Sequence, residues 1–163
     1  MSRMSPQDVQ LVMGIGIDIK TRARVFQFFK ERGYCFLSYV HPSAIVSSTA
    51  EILEGCIIFP GVILGSGVKL EENVCVYSAS VIEHQTRIGA HSYVSPACAT
   101  GGNCHISREC FLGINSTLIE GIELGKGIVV GAGAVVLQSF LEEKVVVAGV
   151  PAKIIRRLDG KLS

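Results

Sequence analysis

Four histidines are the side chains here best suited to move a proton near neutral pH. They stand at His41, His84, His91 and His105. His41 precedes a proline and suits a structural turn. His84 and His91 share the stretch VIEHQTRIGAHSYVSP, residues 81–96. A histidine base takes a proton from an attacking hydroxyl or amine. Attack on a carbonyl also needs a donor for the oxygen that gains charge. Six cysteines raise thiol, disulfide or metal chemistry as alternatives. No CxxC occurs, and no Cys–His pair has zinc-finger spacing, so no metal is expected. Free thiols fit a reducing compartment.

A strict repeat must position these groups. From Val40 to Val136, sixteen of seventeen residues taken at every sixth place are Val, Ile or Leu. Thr100 is the exception. Neither an amphipathic helix nor a simple alternating strand has period six. Short fixed periods mark solenoids, and hexapeptides mark parallel β-helices. Four residues after each aliphatic comes a small or β-branched residue, including Cys56, Cys98, Cys104 and Cys110. Residues two apart on a strand share a face, so both positions point inward and these cysteines serve as small buried residues. The other hexad positions make corners. Where three hexads close a coil, as the family resemblance given below implies, residue 102 lies one rung above residue 84. Gly102 would then sit over His84, where the amide of Gly101 or Gly102 reaches an oxyanion held beside the imidazole. His105 falls on an outward strand centre, a solvated place.

The flanks are short. Met1–Asp8 reads as a disordered start, and Val9–Gly14 as a buried strand. Asp18 offers an N-cap to a helix whose apolar face is Ile19, Ala23, Phe26 and Phe29. Lys20, Arg22, Arg24, Lys30 and Arg32 take its other sides, and Gly33 closes it. Residues 34–40 form a second strand candidate. Gly14-Ile15-Gly16 is half of a phosphate-loop pattern, although a tight strand-to-helix turn explains it as well. After Val136 come a polar loop, a strand at 145–148 and a basic tail of Lys153, Arg156, Arg157 and Lys161. That tail either meets phosphates or forms a solvated helix. The divisions expected are a partial β-α-β segment at 1–39, a β-helix at 40–137 and a C-terminal loop, strand and tail at 138–163. A net charge of +1 predicts neither a nucleic-acid nor a membrane partner. The N-terminus lacks a signal-peptide core, and cytoplasm is the default.

The hexads, with IEH, FLGINS, GAGAVV and GVPAK, resemble the hexapeptide-repeat acyltransferases. The likeness is to the branch of sialic-acid O-acetyltransferases and UDP-amino-sugar N-acetyltransferases. That resemblance implies a mainly β fold, a left-handed parallel β-helix, here with a short N-terminal β-α-β segment in place of a full Rossmann-like domain. It implies transfer of acetyl from acetyl-CoA to an amino or hydroxyl group of a nucleotide-linked sugar, with no metal. It implies His84 as the base, Gly102 as the amide that meets the acetyl group, and Ile114 and Ala132 along the CoA arm. Lys153 follows in the tail near the acyl-CoA. Two places depart from the branch. Gln85 stands where an acidic residue usually orients the base, and Tyr93 where a histidine often meets acetyl-CoA. His91 is a substitute for that contact. The alternatives are acylation of serine or of a non-nucleotide sugar, and a non-catalytic trimeric scaffold. Carbonic anhydrases of this fold need three zinc-binding histidines across an interface, and no third ligand is evident.

The outward strand centres sort into faces at spacing eighteen. Ile45, Ile63, Val81, Ala99, Thr117 and Val135 form an apolar first face. Glu51, Lys69, Arg87, His105 and Glu123 form a charged one. Ile57, Cys75, Tyr93, Phe111 and Val129 form a third, again apolar. Two apolar stripes suit a closed ring of three chains, the state that the resemblance also implies. The first face of one chain would meet the third face of the next, carrying Tyr93 or His91 toward His84.

Overall fold

Two-residue strands recur every six residues because each hexad supplies one inward aliphatic, one outward residue and a corner. In the computed structural model, which describes residues 5–158, these strands stack in parallel with partners eighteen residues apart, as in Val81 on Ala99 and Ile82 on Thr100. They form three faces. The first face has six strands, from Ile45–Val46 to Val135–Val136. The charged face has five, from Glu51–Ile52 to Glu123–Leu124. The third begins at Tyr39–Val40 and ends in a C-terminal hairpin. Below, the first corner joins the first face to the charged face, the second joins the charged face to the third, and the last returns to the first.

The axis of the prism is filled by the aliphatic register. Ile82, Ile88, Val94 and Ile106 are fully buried, and each such side chain contributes roughly 1.5–3 kcal/mol. The small register does more than fill space. Ser80 Oγ donates to Ser95 O, Thr86 Oγ1 to Gly101 O and Ser92 Oγ to Ser107 O. Cys56, Cys98, Cys104 and Cys110 make the same contact with the carbonyl fifteen residues on. The side chain of one corner thus satisfies a carbonyl of the next, which explains Ser, Thr and Cys there. Burial pushes the Cys56 and Cys110 thiols up to about 12, so neither is a ready nucleophile.

The N-terminal unit is β1 (Gln10–Leu11), α1 (Ile19–Lys30) and β2 (Cys35–Phe36), with β1 and β2 parallel. Asp18 caps α1 by accepting from Thr21 N at 3.0 Å. The expected strand over 34–40 is two strands in two sheets: β2 pairs with β1, while Tyr39–Val40 opens the third face. Residues 1–4 of the expected disordered start lie outside the described residues. Residues 5–8 form a turn closed by Asp8 N on Ser5 O.

Arg22 departs from expectation. It lies not on a solvated side of α1 but against the second corner, 1% exposed. Its guanidinium donates to Ile15 O, Asn73 O and Asn73 Oδ1. The corner carries carbonyls that no strand satisfies, and a long donor from the helix meets them. Glu54 fastens the same unit, accepting from Lys30 Nζ and Phe36 N, both at 2.6 Å.

At the other end, the strand Val145–Gly149 continues the third face beside Val129–Val130, and the strand Ala152–Arg157 pairs back antiparallel. The basic tail is therefore a strand as far as Arg157 and not a helix; Lys161 lies outside the described residues. Pairing satisfies the open edge that the first of these two strands would otherwise present. Phe140, Val145 and Val147 close the top of the core.

Candidate active site

His84 stands at the first corner, exposed, with its ring over Gly102 one rung above. A methyl at Gly102 would lie 2.3 Å from Cε1 and 2.4 Å from Nε2 of that ring. Only glycine leaves the imidazole this place. The amide at Gly102 is aimed as well. Gly101 O accepts from buried Thr86 Oγ1 at 3.2 Å and lies 3.4 Å from the Cys104 thiol, so it points into the prism. The Gly101–Gly102 peptide is trans, which turns the Gly102 N–H the opposite way, outward. That N–H has no partner among the described residues. A free, outward amide beside an imidazole is the pair that carbonyl chemistry requires.

Two threonines shape this corner. Thr86 fixes the Gly101 carbonyl. Thr100, the break in the aliphatic register, is 3% exposed, and its Oγ1 accepts from Glu83 N at 3.2 Å. At equivalent places the amide goes to a strand carbonyl, as Gly65 N does to Ile82 O and Gly101 N to Leu118 O. The residue before His84 therefore leaves the regular ladder for a side chain. Neither threonine was singled out from the sequence as functional. The signal for Thr100 was present in its lone departure from the repeat; for Thr86 there was none.

The remaining site residues fall elsewhere. Gln85 has φ +55 and folds its amide over Gly67, one rung below. No hydrogen bond joins it to the His84 ring among the described residues, so the expected orienting contact is not made within the chain. His91 lies at the second corner, 7% exposed, its Nδ1 bonded to Asn73 and its ring edge-on to Phe26 of α1. It is turned under the helix. Tyr93 is on the third face but only 6% exposed, in a stack of Phe59, Tyr77, Tyr93 and Phe111. Burial, then the Tyr77 hydroxyl, pushes its phenol well above the ordinary range. The third face is not open along its whole length: its middle rungs, Cys75 and Tyr93, are buried, while Tyr39 is exposed and Ile57, Phe111 and Val129 stay partly open.

Ile114 and Ala132 stack at the last corner, both exposed, and Lys153 is exposed on the C-terminal strand Ala152–Arg157. A bare isoleucine, 57% exposed, suits an aliphatic arm, and a lysine suits phosphate. The first face separates this corner from His84. Six residues of extended chain span roughly 20 Å, so one chain does not bring the two sets together. Among the described residues no group of three His, Cys, Asp or Glu side chains could hold a metal ion, and no helix is long and apolar enough to cross a membrane.

Fold and corner together define a left-handed β-helix of the hexapeptide-repeat acetyltransferase class. Residues 40–150 match the family model described as the GMPPB C-terminal domain, and the chain belongs to that family. Among solved structures it is similar to PerB from Caulobacter crescentus in complex with CoA and GDP-perosamine: 31% identity, TM-score 0.85, covering 89% of this chain and 69% of that one. It is similar also to the acetyltransferase domain of PglB from Neisseria gonorrhoeae, with 26% identity and TM-score 0.89 over 93% of this chain and 73% of that domain. A serine acetyltransferase from Buchnera aphidicola is 31% identical over 121 residues, 73% of this chain. The chain spans 40% of that enzyme's length.

Proposed function

We propose that this chain transfers an acetyl group from acetyl-CoA to an amino or hydroxyl group of a nucleotide-linked sugar. The observation that carries this reading is the His84 ring set over Gly102 beside an outward amide. Acetyl-CoA supplies the activated thioester. His84 takes the proton from the acceptor's amine or hydroxyl as it attacks, and returns a proton to the departing thiolate. The Gly102 N–H donates to the carbonyl oxygen as it gains charge. Ile114 and Ala132 line the arm and Lys153 meets the phosphates. The buried, protonated cysteines favour direct attack over a thioester on the protein. PerB, solved with CoA and GDP-perosamine, supports both the donor and a nucleotide-linked amino sugar as acceptor.

Because the His84 and Ile114 sets sit at different corners, the reading includes a homotrimer in which the first face of one chain meets the open part of the next chain's third face. Ile45, at 65% exposed, and Ile63 leave that first face bare. The test is turnover with acetyl-CoA and a panel of nucleotide-linked amino sugars. His84→Ala should keep acetyl-CoA binding and lose about 10²–10⁴ in turnover. Unchanged turnover removes His84 from the mechanism, and a wild type inactive on the whole panel removes the acceptor class.

A further inference from the structure

A cavity of about 610 Å³ opens between the C-terminal half of α1 and the second corner, and His84 is not among its lining residues. His91 lines it. A chain of hydrogen bonds fixes which nitrogen of that ring bears the proton. The Arg22 guanidinium has only donors, and its Nη2 lies 2.9 Å from Asn73 Oδ1. The Asn73 amide nitrogen must then face His91, where Nδ2 and Nδ1 are 3.0 Å apart. Nδ1 accepts, so the proton of the neutral ring sits on Nε2. Burial first, then the nearby Arg108, holds the ring's pKa below its ordinary value and keeps it neutral. Nε2 has no partner among the described residues, and it is not sealed, since the only sealed unpartnered side-chain nitrogen or oxygen among them is Arg22 Nε. A side chain more than nine-tenths buried thus presents one free donor to the cavity.

The walls supply the complement. Glu54 and Glu71 are committed to Lys30, Phe36 N, Arg87 and Ala90 N. The Glu72 carboxylate has no hydrogen bond among the described residues. Four glutamates against one lysine and one arginine make the lining net negative, which repels phosphate. A fixed neutral donor and an unbonded carboxylate line one cavity with the Phe26 ring, and suit a ligand that offers both an acceptor and a donor. Vicinal hydroxyls of a sugar ring do so, and an amino substituent adds charge attraction.

We propose that this cavity is a second ligand site, separate from the His84 corner, that takes a neutral or amino-substituted pyranose, with His91 Nε2–H donating to one ring substituent and Glu72 accepting from its neighbour. The site does not depend on the acetyl-transfer reading, and its test reads binding, not turnover. Wild-type full-length protein labelled with ¹⁵N would be titrated with D-glucosamine and N-acetyl-D-glucosamine, with UDP as the phosphate control. The His91 Nε2 signal should shift with a roughly millimolar midpoint for the sugars and stay fixed for UDP. Glu72→Gln, at an exposed position that folding does not need, should weaken the shift at least about tenfold. His91→Asn, chosen because asparagine tolerates the φ of +63 here, should abolish the response of the Ala90 amide. His84→Ala should leave both responses unchanged. No shift with either sugar, a shift with UDP instead, indifference to Glu72→Gln, or loss of the response in His84→Ala would each overturn the proposal.

Discussion

Gly102→Ala adds one methyl where the imidazole now lies. Its carbon would sit 2.3 Å from His84 Cε1 and 2.4 Å from Nε2. Carbon atoms rest about 3.5–4.0 Å apart, so the ring must retreat by roughly 1.2 Å or more. The backbone does not resist, because Gly102 is not among the residues of positive φ. His84 is exposed and free to swing, so the fold loses little, within about 0.5 kcal/mol. A misplacement of about 1 Å costs on the order of 10²-fold in rate. Gly101→Ala should behave in the opposite way. Its methyl would meet Glu120 N at 2.4 Å and Glu120 Cα at 2.7 Å, and backbone cannot step aside. The cost there is about 1–3 kcal/mol of stability. The assay is release of the CoA thiol at saturating acetyl-CoA and acceptor, paired with thermal unfolding of each variant. Gly102→Ala with wild-type kcat, or with activity lost only in step with Tm, would refute the argument that this glycine exists to seat the base.

Other outcomes follow from neighbouring features. Thr100→Val removes the hydroxyl that holds Glu83 N; kcat should fall about tenfold with KM unchanged and stability altered by about 1 kcal/mol, whereas an unchanged kcat would show that Thr100 does not position His84. Phe111→Glu puts a charge on the open part of the third face; sedimentation should show monomers and turnover should vanish, and an active monomer would sink the shared site. Burial holds His91 below its ordinary pKa of 6.5, so the unfolded chain binds the proton more readily. Its contribution to stability is complete above 6.5 and is lost as pH falls through the lower folded-state value. Part of the slope of Tm against pH on the acid side should therefore disappear in His91→Asn, and an unaltered slope would place the acid sensitivity elsewhere.

The sequence by itself determined the prism. One aliphatic every six residues set the inward register, and with the eighteen-residue coil of the family it resembles, the three faces and the position of Gly102 over His84 were legible as well. A repeat is arithmetic: once three hexads close a coil, as the family resemblance implied, a contact between residues i and i+18 follows. What the period does not encode, only the tertiary structure decided. Arg22 and Lys30 look like surface charges on α1, yet the helix docks on the second corner and takes both into its interface with Asn73 and Glu54. His91 and His84 looked like a pair because they share the stretch 81–96, yet each corner faces a different way and α1 covers one of them. The direction of the Gly102 amide depended on Thr86, whose hydroxyl turns a peptide that the spacing leaves free. Repeats fix neighbours along the axis through backbone hydrogen bonds of fixed length. Segments outside the repeat dock through side chains, whose reach and partners no period constrains.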